Sequence, residues 1–351
     1  MVKFLTDEKN QRYIVPLLSV FFGFLAGAII MMITGINPID GYRALVKGVI
    51  GNPRKFGEWI VASIPLILTG LALAFGFRTG LFNIGAEGQL IVGAFAAVAV
   101  GVLIELPKII HLPLVLLAAA LAGALWGFIP GFLKARFRVH EVVVTIMLNY
   151  TALHLVNRAI KALPGSSNTR TVDIFPSASL SSEFLSNLTK HSRLHWGFVV
   201  ALLAAFIFWY IIERTTFGYE LRSVGFNQHA SEYAGMKVNR NIVLSMMISG
   251  AFAGLAGAMI SIGTFDYARV IGAAEGYGFD GIAVALLGNN GGFGIVIAGL
   301  LFGALKAGSS AMALAKVPKE IADIIMAFIV LFAAMNYGFK RLLLRLRKEG
   351  K

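Results

Sequence analysis

Long apolar stretches, separated by shorter polar segments, make up most of this chain. Each is close to the roughly twenty residues that an α-helix needs to cross the hydrocarbon core of a bilayer. The pattern therefore predicts an all-α polytopic membrane protein with about ten transmembrane helices in a single transmembrane domain, residues 1–351. The predicted spans cover about Ile14–Thr34, Trp59–Phe77, Leu81–Ile104, Leu112–Leu133, Glu141–Ile160, Trp196–Ile212, Ile242–Gly263, Tyr267–Leu287, Phe293–Ala315 and Glu320–Phe339.

Two of the polar segments, residues 161–195 and 213–241, are long enough to hold structure of their own. In the second, Asn227 suits the N-cap of a helix, because its side chain can accept from the free amides of the first turn. Gly235 suits the position just past a helix end, where a positive φ angle costs glycine little. The spacing predicts a helix of about seven residues, roughly 10 Å long, which is too short to cross a membrane.

Composition and charge agree with a membrane protein. The chain is 57% hydrophobic and 14% charged, whereas ordinary soluble domains are about a quarter charged. The net charge of +13 is explained by basic loops that stay in the cytoplasm beside anionic lipid. No tract alternates basic and aromatic residues as a nucleic-acid groove would. The chain has no cysteine, which excludes a disulfide framework and thiolate chemistry.

The distribution of basic residues predicts the orientation. Lys134, Arg136 and Arg138 lie between the fourth and fifth spans, and more basic residues crowd the C-terminal tail. The positive-inside rule then places both termini and the 213–241 loop in the cytoplasm, and residues 161–195 outside the cell. The bias is not uniform, because residues such as Arg43 and Arg54 fall on the predicted outer side.

Two glycine-rich segments, residues 80–89 and 276–294, read as broken helices. Unwound backbone at membrane depth persists only inside protein or beside water. Asn83 and Asp280 are the expected helix caps there, and Lys306 of the ninth span is expected to extend its ammonium to the membrane surface. Interfacial capping is the alternative role for most of these polar groups. The candidate residues of a substrate path are Phe82, Asn83, Glu87, Gln89, Asn149, Tyr277, Phe279, Asp280, Asn289 and Asn290.

A short sequence echo suggests internal symmetry. Ile84–Gln89 reads IGAEGQ and Ile271–Tyr277 reads IGAAEGY, which aligns Glu87 with Glu275. The echo relates spans two to five to spans seven to ten as an inverted repeat, a common transporter plan. Because glycine and alanine are abundant in this chain, chance similarity is the competing explanation.

Signatures of enzymes are missing from the sequence. The string nearest to a phosphate-binding loop, GLLFGALKAGSS, has Leu305 where that motif requires glycine before Lys306. The six histidines form no HExxH motif and no paired metal spacing. We therefore expect no catalytic residue, no metal site and no cofactor in this chain.

The segment around the short predicted helix resembles the cytoplasmic coupling loop of permeases from ATP-binding-cassette (ABC) importers. Ala230 and Ser231 fall where that loop usually has two alanines, and Gly235 precedes an aliphatic residue. Gln228, where proline is common, and Ser231 are departures that a helix tolerates. The resemblance implies that the ATPase-coupling residues are Asn227, Gln228, His229, Ala230, Ser231, Glu232, Tyr233, Ala234, Gly235 and Met236.

The match is strongest to permeases for branched-chain amino acids, ribose and nucleosides. Residues 78–89 and 134–150 look like nucleoside permeases in particular. The resemblance implies a type II importer-like fold in the bacterial cell membrane, with the coupling helix between spans six and seven. It further implies a separate cytoplasmic ABC ATPase carrying ATP and Mg²⁺, a second and different permease, and an extracellular substrate-binding lipoprotein.

Two alternatives to nucleoside import remain at this point. The same family carries sugars and branched-chain amino acids, and a sugar path would need the same amide side chains. A different class of protein, an ion-coupled secondary transporter, would use Glu87, Glu275 and Asp280 as a proton relay. That class predicts uptake by this chain alone, without an ATPase.

Overall fold

The computed structural model describes residues 8–335, with side chains from residue 14 onward. Within that range the regular structure is helical, apart from two isolated β-bridges. A 3₁₀ turn covers Pro176–Ala178, and a π-helix over Met259–Phe265 continues helix α11. The α-helices are α1 (Glu8–Ile33), α2 (Pro38–Ile50), α3 (Pro53–Arg78), α4 (Ala86–Leu103), α5 (Lys108–Phe137), α6 (Glu141–Ala162), α7 (Glu183–Leu188), α8 (Gly197–Arg214), α9 (Thr216–Phe226), α10 (Gln228–Tyr233), α11 (Val238–Ala258), α12 (Tyr277–Leu287), α13 (Gly292–Leu314) and α14 (Glu320–Ala334).

Each predicted span contains a helix, and the polytopic all-α class is confirmed. Seven segments of the described chain are long and apolar enough to cross a membrane: Ile14–Ile33, α3, α4, α5, α8, Val238–Phe265 and α13. The predicted fifth span is helix α6, whose hydropathy is lowered by Asn149, Asn157 and Arg158. The end of the tenth predicted span at Phe339 and the basic C-terminal tail lie outside the described residues.

The eighth predicted span is wrong in its extent. A single helix was expected over Tyr267–Leu287, but α12 begins only at Tyr277 and has 11 residues. The backbone of Ala268 and Val270 instead hydrogen-bonds to residues 169–171 of the polar segment 161–195, at 2.8 to 3.0 Å. These bonds replace those that a helix would make, so the segment enters the membrane region extended.

Helix α3 lies at the centre of the molecule. In its most apolar stretch 89% of the residues are buried, which is the highest share among the candidate spans. A helix that is hydrophobic on all sides is stable only when other helices enclose it. Helices α8, α11, α12 and α13 pack around it, and Trp59 donates from Nε1 to the carbonyl of Leu300 on α13 at 2.8 Å.

Glycines at four-residue spacing bring the helix backbones together. An added side chain at Gly123 of α5 would collide with the carbonyl of Gly250 on α11, and Gly93 of α4 lies against the backbone of Gly254. Small residues give this close approach in membranes, where packing replaces the hydrophobic effect between helices. At these contacts the regularly spaced glycines serve close packing of the helices.

The polar segment of residues 161–195 is ordered against the helix ends. Phe175 N donates to the carbonyl of Gly101 at 2.9 Å, and Leu180 N donates to the carbonyl of Ile262 at 2.9 Å. Arg193 pairs with Glu58 at the start of α3, with 2.7 Å between Nη2 and Oε2. The segment thereby covers the ends of α3 and α4 and the π-helix opposite the α9–α10 end of the molecule.

Candidate functional site

Helix α10 is short and closed at both ends. Asn227 has an extended backbone, and its Oδ1 accepts from the amide of Ala230 at 3.0 Å. Past the helix, Gly235 has φ +82°, and Met236 N donates to the carbonyl of Ser231 at 3.0 Å. These bonds satisfy backbone groups that every helix end leaves free. The sequence correctly predicted the helix, its Asn227 cap and the left-handed glycine.

The surface of α10 is open to solvent. Among Gln228–Tyr233 the one buried residue is Ser231, which donates from Oγ to the carbonyl of Asn227 at 2.9 Å. Tyr233 is 96% exposed, and Phe226, just before the helix, is 91% exposed. Large aromatic side chains at this exposure are typical of surfaces that bind another protein.

A chain of charged groups attaches this surface to the helices of the core. Arg222 of α9 pairs with Glu213 at the end of α8 at 2.8 Å, and Glu213 also pairs with Arg78 at the end of α3 at 2.7 Å. Arg78 Nε donates to the carbonyl of Asn290 at 3.1 Å. These contacts join α9 to α3, α8 and the turn between α12 and α13.

Helix α9 is also held by close backbone packing. Gly225 lies against the backbone of Arg78 and Gly80, where an added side chain would collide. On the other side, Asn241 of α11 donates to Glu220 of α9 at 2.9 Å. Helix α9 and the first turn of α11 are thus fixed to the core, while α10 projects from it.

The broken segment before α4 is organised by Asn83. Its Oδ1 accepts from Gly85 N at 3.0 Å, and its Nδ2 donates to Gln89 at 2.9 Å and to Ser249 of α11 at 2.8 Å. The expected cap role is wrong, because Gly85 occupies the N-cap of α4. Asn83 closes the turn before the helix instead, and Ser249 continues the network to the carbonyl of Ala72 at 2.6 Å.

Asn149 of α6 holds the same turn from the opposite side. Its Oδ1 accepts from Gly88 N at 2.8 Å, and its Nδ2 donates to the carbonyl of Ile84 at 3.0 Å. Asn83, Gln89 and Asn149 are all buried. In this conformation Asn83 and Asn149 satisfy unwound backbone and Gln89 hydrogen-bonds to the Asn83 side chain, so the three do not face an open cavity.

Glu87 connects the two segments that echo each other in sequence. Its side chain is buried, and its carboxylate accepts from Gly276 N at 2.9 Å and from Gly278 N at 2.5 Å. These amides belong to the start of α12, where the helix dipole favours a negative charge. Glu87 of α4 therefore fixes the N-terminus of the short helix α12.

Asp280 and Lys306 form an ion pair between α12 and α13. The distance from Asp280 Oδ2 to Lys306 Nζ is 2.7 Å, and Nζ lies 4.0 Å from the centroid of the Tyr277 ring. Two expectations are wrong here, since Gly276 is the N-cap of α12 and Lys306 does not reach for the membrane surface. A charge far from either surface is stabilised better by a neighbouring opposite charge than by extension.

The remaining pathway candidates lie outside the Asn83 network and the Asp280–Lys306 pair. Phe82 is 39% exposed and packs on Phe77 with 5.3 Å between ring centroids, and Phe279 is 48% exposed. Asn289 and Asn290, both with φ +52°, form the turn between α12 and α13 beside a groove of about 1370 Å³. Nine of the ten candidates therefore fall into three groups, namely the Asn83 network, the start of α12 and the α12–α13 turn, and Phe82 lies apart from them beside Phe77.

Sequence reasoning missed several residues of these networks. Ser249 gave no signal, because a serine in an apolar span is common. Arg78, Glu213 and Arg222 were visible only as charges at span ends. Lys306 carried a usable signal, since a charge inside a span is expected to have a partner, and Asp280 lies in the preceding span.

Comparisons with known proteins place this geometry in context. The family described as "Branched-chain amino acid transport system / permease component" matches residues 56–334. The guanosine ABC transporter permease protein NupP of Bacillus subtilis strain 168 is 56% identical over 98% of this chain and 99% of its own length. The nucleoside ABC transporter permease protein NupB of Lactococcus lactis is 38% identical, over 94% and 93% of the two chains. The glucose ABC transporter permease protein TsgB13 of Haloferax volcanii is 32% identical, over 94% and 89%. No solved structure matches the chain.

Proposed function

Because the chain belongs to the family of permease components of branched-chain amino acid transport systems and is a permease subunit of an ABC transporter, we propose that it imports nucleosides. Two of its relatives, 56% and 38% identical, are named for guanosine and nucleoside transport. A sugar is the second candidate substrate, favoured by the 32% identical relative named for glucose. The higher identity of the nucleoside permeases over nearly the whole chain favours a nucleoside.

The observation that carries the coupling mechanism is the exposed, doubly capped helix α10. A separate ABC ATPase binds and hydrolyses ATP with Mg²⁺ in the cytoplasm, and the residues of Asn227–Met236 dock into it. Its movement passes through α9 and the Arg222–Glu213–Arg78 contacts to the helices around the substrate path. Rigid-body motion of this kind suits packed helices, which switch between arrangements rather than deform continuously.

The orientation follows from the same role. Docking to a cytoplasmic ATPase places α10 and the 213–241 loop in the cytoplasm, together with both termini. Residues 161–195, which lie at the opposite ends of the helices, then face the outside of the cell. There they meet an extracellular lipoprotein that delivers the substrate.

A second permease completes the path. One chain of this kind forms one side of a pore, and its partner is a related but different permease, giving a heterodimer. The candidate pathway residues named above line this path. Among them, Tyr277, Phe279 and Asp280 lie nearest to the exposed side of α12.

An ion-coupled transporter explains the carboxylates less well. Glu87 is held by two backbone amides, Glu275 pairs with Arg269 at 2.6 Å, and Asp280 pairs with Lys306. A proton relay needs groups that exchange protons readily, whereas each of these three carboxylates is held by backbone amides or by a basic side chain. The chain also belongs to a family of ABC permeases, in which ATP hydrolysis on a partner chain supplies the energy for transport.

Tyr233→Ala tests the docking surface. Because Tyr233 is 96% exposed, the variant leaves the permease folded. Loss of an interface aromatic costs about 2 kcal/mol or more, which is about thirtyfold in affinity. We expect loss of ATPase co-purification and of guanosine uptake. Phe184→Ala, 69% exposed on α7 at the opposite end, is the matched control for ATPase co-purification. Unchanged uptake and co-purification in Tyr233→Ala would contradict the docking role.

A further inference from the structure

The ion pair between Asp280 and Lys306 lies inside the membrane-spanning region and is still partly exposed. The side chains are 31% and 30% exposed, respectively, and Lys306 belongs to the candidate span α13. Ionisable groups at such depth almost always face the interior of a helix bundle or a water-filled cavity, because lipid cannot solvate them. The open side of this pair therefore faces water or another protein chain.

Aromatic rings border the pair. Lys306 Nζ lies 4.0 Å from the centroid of the Tyr277 ring, a distance at which the ring face attracts the cation. Phe279 precedes Asp280 on α12 and is 48% exposed. Charged groups beside exposed ring faces give a surface that can both hydrogen-bond a small polar molecule and cover its apolar side.

The pair is held in place from behind. Glu87 of α4 accepts from the amides of Gly276 and Gly278 and so fixes the first turn of α12. Tyr277 and Asp280 belong to this turn, and Lys306 reaches it from α13. Because three helices position the groups, they need little rearrangement when a ligand binds.

The pair has hydrogen-bonding capacity left over. Within residues 8–335, Asp280 Oδ1 has no hydrogen-bond partner, and Lys306 Nζ uses one of its three N–H groups, toward Asp280. A carboxylate accepts and an ammonium donates, so together they match two neighbouring hydroxyl groups. The pair is neutral overall, which favours a neutral hydroxylated ligand over an ion.

We infer that Asp280, Lys306 and Tyr277 form a site in the substrate path that binds the vicinal diol of a ribose. This inference rests on the proposed import function. A ribonucleoside and free ribose both carry this diol. One hydroxyl donates to Asp280, the other accepts from Lys306, and the Tyr277 ring covers the sugar or the base.

The test compares two substrates that differ in the diol. Uptake of guanosine and of 2′,3′-dideoxyguanosine is measured in cells that carry the complete transporter and lack other nucleoside uptake. The variants are Asp280→Asn and Lys306→Met, and Glu275→Gln is the matched control. Glu275 pairs with Arg269 at 2.6 Å with similar exposure, 29% and 34%. The substrate-binding lipoprotein is the same in every measurement. A change in the ratio of guanosine uptake to dideoxyguanosine uptake therefore comes from this chain.

The expected result is selective. A hydrogen bond to a charged group contributes enough that its loss lowers guanosine uptake about tenfold or more in both variants. Dideoxyguanosine uptake stays within about twofold of the parent, and Glu275→Gln changes neither rate. If the substrate-binding lipoprotein does not bind dideoxyguanosine, the same comparison is made without it. Binding of guanosine and of dideoxyguanosine is then measured on the purified permease–ATPase complex in nanodiscs.

Two results would overturn the diol site. One is an unchanged guanosine rate in both variants, and the other is an equal loss for both substrates at equal amounts of membrane complex. Uptake of ribose but of no nucleoside, with the same loss in Asp280→Asn, would keep the diol site. That result would overturn the nucleoside substrate proposed above.

Discussion

His195 shows how burial alone sets the charge of one side chain. It lies just before α8, and its ring packs between Gly197 and Gly263. Its Nδ1 accepts from Gly197 N at 3.1 Å, and burial lowers its pKa from 6.5 to about 4. A buried imidazole without a counter-charge is stable only when neutral.

The stability of the segment of residues 161–195 is therefore expected to fall in acid. As the pH falls, the unfolded chain takes up the proton at about 6.5 and the folded chain only at about 4. The contribution of neutral His195 is complete above about pH 6.5 and is lost toward pH 4, by about 1.4 kcal/mol per pH unit. Thermal unfolding of the purified complex measures this between about pH 7 and pH 5.

His195→Gln, which keeps a hydrogen-bond acceptor, should flatten this pH dependence. His191→Gln is the control, because His191 is exposed on the same segment. An equally steep loss of stability in the His195 variant would assign the acid sensitivity to other groups.

A substitution at Gly235 tests the effect of a single backbone φ angle. Its φ is +82°, and an added Cβ would meet nothing within 4 Å. Gly235→Ala therefore introduces backbone strain of about 1 kcal/mol and no collision. We expect weaker ATPase co-purification, because the strain unwinds the end of α10.

Gly35→Ala is a matched control for that substitution. Gly35 follows α1, has φ +75° and also has nothing within 4 Å, so it suffers the same strain away from α10. Equal effects of the two substitutions on co-purification would show that strain anywhere in the chain is sufficient.

At the scale of elements, helix α9 connects the docking surface to the core. Glu213 is the shared acceptor of Arg78 and Arg222, which lie at 2.7 and 2.8 Å. Its side chain is 32% exposed, so the ion pairs contribute about 1 kcal/mol or less to stability. These pairs join α3, α8 and α9. We expect the three helices to move together.

Glu213→Gln should uncouple hydrolysis from transport. We expect the ATPase to co-purify normally, because α10 is untouched, while guanosine uptake per ATP hydrolysed falls several-fold. Uptake and hydrolysis are measured on the same reconstituted complex. Asp40→Asn, which breaks the exposed Arg43–Asp40 pair at 3.6 Å, should change neither. Normal coupling in Glu213→Gln would assign force transmission to the backbone contacts at Gly225 instead.

At the scale of the whole molecule, the helices place α10 and the segment of residues 161–195 at opposite ends. The chain has no cysteine, so single introduced thiols report sidedness directly. Asn187→Cys on α7 should react with a membrane-impermeant maleimide in intact cells. Glu232→Cys on α10 should react only after the membrane is permeabilised. Both positions are exposed, and labelling of the second in intact cells would contradict the proposed orientation.

The sequence by itself determined the all-α polytopic class of the protein and the ends of helix α10. These features depend on local physics: the length of an apolar run, the side chain of Asn227 and the φ angle of Gly235. The inverted repeat stays a prediction, although Glu87 and the backbone at Gly276, from the two echoing segments, do meet.

Only the tertiary structure decided the partners of the charged and polar side chains. Lys306 could have extended to the surface or found a carboxylate, and Asn83 could have capped a helix or closed a turn. The choice depends on which groups distant parts of the chain bring within 3 Å, as Ser249 does for Asn83 and Asp280 for Lys306. The length of α12 could not be predicted from the sequence for the same reason. Residues 169–171 supply the hydrogen bonds that hold the segment before α12 extended.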